Sequence, residues 1–104
     1  MNPWLIVLIA GLLETGWALG LKYSEGFTRP LPSALTIIGA LASFWLLALA
    51  MKSLPVGTAY AVWVGIGAVG TAILAVILFG EPVNLMRAAG IALILGGIIA
   101  LKFA

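Results

Sequence analysis

The chain has 104 residues and a formal net charge of +2; 64% of its residues are hydrophobic and 8% are charged. A water-soluble domain is nearer about 45–50% apolar and about 25% charged, so this composition suits lipid and excludes an aqueous surface. The small, scattered charge gives no footprint for nucleic acid. Absent cysteine and histidine remove disulfides, thiol chemistry and the commonest metal ligand. The composition reads as an all-α integral membrane protein.

A membrane helix needs about 20 mainly apolar residues. Four runs qualify, at about 3–21, 33–51, 56–79 and 85–101, so residues 1–104 are expected to form a single four-helix transmembrane domain. The first run lacks a preceding basic segment and an Ala-x-Ala-like end, so it is expected to remain as a span. Lys22-Tyr-Ser-Glu-Gly26 ends it, and Lys52-Ser53 ends the second. Pro55 stands at the start of the third, where a missing N–H is tolerated. Asn84, after Gly80-Glu-Pro82, is the expected N-cap of the fourth. Short loops imply that successive helices pack antiparallel, with both termini on one side.

Orientation follows the Lys/Arg bias of the loops. Lys22, Arg29 and Arg87 fall on one side, Lys52 and Lys102 on the other, three against two. So near a balance gives almost no preference, and a chain that inserts both ways can pair with an inverted copy of itself. A single charge or a partner fixing one orientation is the alternative.

Glu14 is the only charge inside the first run. Facing hydrocarbon, such a carboxylate costs on the order of 3 kcal/mol or more. Helical spacing puts Val7, Ala10, Gly11, Glu14, Trp17, Ala18 and Leu21 on one stripe. The small residues leave room around the carboxylate, and Trp17 offers an indole donor one turn away. This is a site for a cation with an apolar or planar body; a structural acid bonded to a neighbouring helix is the alternative.

Ser43 lies mid-span in the second run, where a bond to its own i−4 carbonyl is the default. Tyr60 and Trp63 share a face of the third run with Gly67 and can wall a cation, or serve as an interfacial belt. Gly65, Gly67 and Gly70 permit either a hinge at Gly65 and Gly67 or close helix packing. On the fourth run, Ala88, Ala92, Gly96 and Ala100 form a small-residue row. Gly90, Leu93, Ile94 and Gly97 are the expected dimer face. Trp4 and Phe103 read as belt residues, and Glu25, Arg29 and Glu81 as solvated loop charges. No metal cluster or nucleophile–base pair is present, so no enzyme activity and no cofactor are expected.

Taken in order, Gly11-Leu-Leu-Glu14, Lys22-Tyr-Ser-Glu-Gly-Phe-Thr-Arg29, Leu54-Pro-Val-Gly-Thr-Ala-Tyr-Ala-Val-Trp63, Gly65-Ile-Gly67, Gly90 and Gly97 resemble the small multidrug resistance family of bacterial transporters. The resemblance covers essentially the whole chain. It implies a multi-pass protein of the bacterial inner membrane, with four transmembrane helices per subunit in an antiparallel, dual-topology homodimer. Two copies of Glu14 would share one central site that binds protons and cations in turn.

Trp17, Met51-Lys-Ser-Leu-Pro-Val-Gly-Thr58 and Gly80-Glu-Pro82 look like the guanidinium-exporter subtype. By the same match Ser43, Tyr60 and Trp63 would bond or wall the carboxylates. Val64 stands where that subtype usually shows Thr. Met1-Asn-Pro and Ser43-Phe-Trp-Leu-Leu47 look more like the multidrug branch. The implied function is proton-coupled export of guanidinium or small guanidinyl cations by alternating access. The rivals are a broader exporter of quaternary ammonium cations and a structural or accessory membrane subunit without transport.

Overall fold

Each apolar run forms one helix: α1 spans Pro3–Tyr23, α2 Pro30–Ala50, α3 Val56–Phe79 and α4 Leu85–Phe103. The computed structural model describes residues 2–104. The helices are 21, 21, 24 and 19 residues long. At 1.5 Å per residue they reach about 29–36 Å, enough to cross a hydrocarbon core of about 30 Å. All four are long and apolar enough to do so.

Local chemistry sets the helix ends. The Asn2 side chain accepts the Trp4 backbone N–H at 2.8 Å, and Asn84 accepts that of Arg87 at 2.8 Å. Both thereby satisfy first-turn donors that have no helical partner. α2 begins at Pro30 rather than near Ser33, because proline in a first turn loses no helical bond. Between α1 and α2, Glu25, Gly26 and Phe27 all have positive φ, at 49°, 72° and 65°. This reversed turn is fastened by buried Ser24, whose Oγ donates to the Leu21 carbonyl and accepts the Phe27 N–H. Gly80, at φ 65°, closes α3 in the left-handed conformation that glycine adopts most cheaply.

α1 is the central helix. It packs on α2 and on α3, while α2 barely touches α3 and the backbone of α4 comes close to that of α3 alone. Gly11 meets Ile66, Glu14 meets Gly67, Thr15 meets Gly70 and Tyr23 meets Phe79, so α1 and α3 run parallel. Ala10 meets Ser43, Trp17 meets Gly39 and Gly20 meets Thr36, so α2 runs against α1. Close approach at small residues is what holds helices together where lipid removes the hydrophobic drive between them.

The result is a slab of 40 × 34 × 18 Å. The core is Val7, Ala10, Leu47, Ala50, Ala59, Val62 and Trp63, all from α1, α2 and α3. α4 contributes no buried residue. At the slab's two edges, Lys22 lies 5.5 Å from the Phe79 ring centre and Lys102 lies 5.0 Å from that of Trp4. Such rings sit at the lipid–water boundary beside cations whose heads reach for water.

Candidate substrate site

Glu14 lies midway along α1, with its side chain laid across Gly67 of α3. A methyl group on Gly67 would overlap the Glu14 carboxyl carbon, so glycine is what admits the acid between the helices. One carboxyl oxygen, Oε2, is buried and makes no hydrogen bond. One turn further on, the Trp17 indole N–H is likewise buried without an acceptor. A bare acceptor and a bare donor therefore stand three residues apart on one helix, in surroundings where an unmet polar group costs several kcal/mol or more.

α2 and α3 complete the layer. Trp63 Nε1 donates to Ser43 Oγ at 2.9 Å, and Ser43 Oγ donates to the Ala10 carbonyl at 2.7 Å. Ser43 is fully buried and Trp63 nearly so. The default serine bond to its own helix is thus replaced by one that ties three helices together. Its acceptor, Ala10, is the residue whose carbonyl receives the Glu14 backbone N–H in a regular helix. The bond therefore braces the turn that carries the acid.

Aromatic rings border this layer in an unbroken series. Trp17 and Phe44 have centroids 6.0 Å apart, Phe44 and Trp63 5.7 Å, and Tyr60 and Trp63 5.5 Å. Edge-on and tilted pairs at such separations are favourable, and their faces attract cations. Trp17, Ser43, Tyr60 and Trp63 are accordingly joined in one chain of contacts, with Phe44 as the link between Trp17 and Trp63. Phe44, which joins the α1 ring to the α3 rings, and Thr15, which is buried against Gly70, escaped the sequence reading. An aromatic next to the mid-span serine and a hydroxyl next to the acid were the available signals. Tyr60 is 55% exposed and Val64 37%, so this flank of the site is open in one chain.

Gly65 and Gly67 are both buried in an unbroken α3, and both are packed against neighbours. Gly67 receives Glu14, while Gly65 receives Ile94 and Ile98 of α4. Ile94 therefore turns partly into its own chain. Gly90, Gly96 and Gly97 have nothing within 4 Å of where a side chain would start, and Leu93 is 77% exposed. Ala88, Ala92 and Ala100 are exposed as well, so the small-residue row lies on the outside of the chain. Three grooves of about 420, 360 and 340 Å³ open along the helices, lined by residues other than Glu14. Among the described residues no group of His, Cys, Asp and Glu could hold a metal ion.

The family model described as Small Multidrug Resistance protein matches residues 2–94. The chain belongs to the small multidrug resistance family. A relative named "Guanidinium exporter" from Yersinia pseudotuberculosis is 62% identical over 101 residues, 97% of each chain. A relative of the same name from Escherichia coli K12 is 62% identical over 99 residues, 95% of this chain and 94% of the other. One from Proteus vulgaris is 56% identical over 101 residues, 97% of each. Of the two branches that the sequence resembles, these small multidrug resistance relatives lie on the guanidinium side. They are named for export, not for an enzymatic reaction. With four apolar helices, membership of this transporter family makes the chain a multi-pass membrane protein.

Proposed function

We propose that the chain exports guanidinium or small guanidinyl cations across the bacterial inner membrane in exchange for protons, as an antiparallel homodimer inserted in both orientations. The observation that carries this reading is the Glu14 carboxyl seated on Gly67 with a buried, unbonded oxygen beside a row of four rings. The names of the relatives supply the cation.

Guanidinium is planar, carries paired N–H donors and matches a carboxylate in two-point fashion. Its faces suit stacking on Trp63 and Tyr60. A carboxyl desolvated between helices takes either a proton or a cation, and holds both poorly. That exclusion suffices for exchange, because each ligand must leave before the other binds. Two copies of Glu14 facing one centre strengthen it, since like charges there repel.

The slab form, the uncovered α4 and the open flank at Tyr60 and Val64 support a second copy completing the site. Contact through Gly90, Leu93, Ile94 and Gly97 leaves the α1–α3 layer free to face its counterpart. Alternating access follows when the two subunits exchange conformations, with α3 bending at Gly65 and Gly67. Val64 leaves an apolar side chain on that open flank where a hydroxyl would have offered a bond, so it bears on the breadth of substrates.

The test is guanidinium-driven current from purified protein on a solid-supported membrane at several pH values, with Glu14→Gln as the control. The amide cannot exchange a proton or carry charge at neutral pH, so coupled transport should vanish. Retained coupling in Glu14→Gln would sink the assignment. Equal currents with tetraalkylammonium ions would move the protein to the broader exporters, and silence with both would leave a non-transporting subunit.

A further inference from the structure

Thr15 is buried at 5% exposure, directly after the acid on α1. Its hydroxyl lies over Gly70 of α3, where a methyl group would overlap it. The same oxygen is within 3.4 Å of two carbonyls: Gly11, on its own helix, and Gly67, on α3. Gly67 is thus touched twice by successive residues of α1, by the Glu14 carboxyl over its α-carbon and by the Thr15 hydroxyl at its oxygen.

A carbonyl has two lone pairs, and in a regular helix the Gly67 oxygen already receives the Thr71 backbone N–H. Room for one further donor remains. A helical threonine ordinarily turns its own hydroxyl back to the i−4 carbonyl, which for Thr71 is that of Gly67. Yet Thr71 Oγ1 is buried without a partner. The Thr15 hydroxyl from across the interface reaches that oxygen at 3.4 Å, as it does its own Gly11 carbonyl, while the local Thr71 hydroxyl is left unmet.

We propose that Thr15 is a positioning residue for Glu14: its hydroxyl, seated over Gly70 and shared between the Gly11 and Gly67 carbonyls, helps set the height of α1 on α3 and with it where the carboxyl meets a cation. Glu14 over Gly67 and Thr15 over Gly70 set the two helices close, and the hydroxyl adds a directional contact to that fit. Thr15 acts through the backbone of α3 and does not touch the cation. The inference rests on the reading of Glu14 as the cation site.

Thr15→Val keeps the buried shape and removes the donor, while Thr15→Ser keeps the donor and removes the methyl. In proteoliposomes Thr15→Val should raise the guanidinium KM about threefold to tenfold, the factor one modest hydrogen bond is worth, with kcat within about twofold. Thr15→Ser and Thr71→Val should stay within about twofold of the parent. A second readout is the carbon-13 carboxyl resonance of Glu14 in a Glu25→Gln, Glu81→Gln background, where it is the only carboxyl side chain. That signal should move in Thr15→Val and return in Thr15→Ser. An unmoved resonance, or Thr15→Ser matching Thr15→Val in both readouts, would overturn the proposal; so would Thr71→Val reproducing the defect. Should the parent carry no guanidinium current, the transport reading fails while the resonance still decides the role of Thr15.

Discussion

Trp63 reaches α2 by a single bond, its indole N–H donating to Ser43 Oγ at 2.9 Å. Because that oxygen donates its own hydrogen bond to the Ala10 carbonyl at 2.7 Å, the aromatic wall and the acid-bearing helix share one small side chain. Neither group has water as a substitute partner in the core of the bilayer.

Removing the shared oxygen should therefore cost more than removing the pair. Ser43→Ala orphans the Trp63 donor and should destabilise the protein by about 1–3 kcal/mol. Trp63→Phe in the same chain removes the orphan and should recover at least about half of that loss. Thermal unfolding of the two single variants and the double variant in detergent gives the coupling directly. Additive losses would mean that the bond contributes nothing to holding α2 against α3.

Gly67 is the seat of the acid, and its replacement should act on transport before it acts on folding. Gly67→Ala sets a methyl into the Glu14 carboxyl, an overpacking conflict of about 1–3 kcal/mol that the carboxyl relieves by moving. Guanidinium transport should fall by about fivefold to a hundredfold, by the usual conversion of such energies. Gly57→Ala, where nothing lies within 4 Å, is the matched control and should transport normally. Parent-like currents from Gly67→Ala would show that the carboxyl does not work from this position.

The outward glycines of α4 make the opposite prediction. Gly90 and Gly97 have no neighbour in their own chain, so Gly90→Val and Gly97→Val should leave the monomer's helices intact. In an interface that needs close backbone approach they should lower the dimer fraction about tenfold. Single-molecule energy transfer between singly labelled subunits in liposomes measures this. An undiminished dimer would move the contact to another face.

Much of this fold is written plainly in the sequence, because lipid imposes a length and a polarity that few residues can disguise. Asn84 could be read as a cap from its place before an apolar run, and its side chain does accept the Arg87 N–H. Pro30-Leu-Pro32 was harder: prolines read as a break, whereas a first turn accommodates them and α2 starts there. α1 and α4 run past the apolar limit through Lys22 and Lys102, whose ammonium groups lie over the rings of Phe79 and Trp4.

The candidate site was legible in its members more than in its joints. Helical spacing relates Glu14 to Trp17 and Tyr60 to Trp63, because each pair shares a helix. Which carbonyl Ser43 would choose is a matter between helices, and periodicity says nothing of it. Phe44 is 47% exposed, so its sequence position reads as ordinary lipid-facing bulk until the rings on either side are seen. Thr15 was hidden by the acid before it.

Gly65 and Gly67 stand two residues apart and so present nearly opposite sides of α3, one to Ile94 and Ile98, the other to Glu14. α3 is therefore an axle with a notch cut on each side. A turn about its long axis that lifts one notch from the acid must also shift the other beneath the isoleucines of α4. The outermost helix, which contributes nothing to the substrate layer, is geared to it all the same. Any such rotation would therefore couple the carboxyl to the seating of α4.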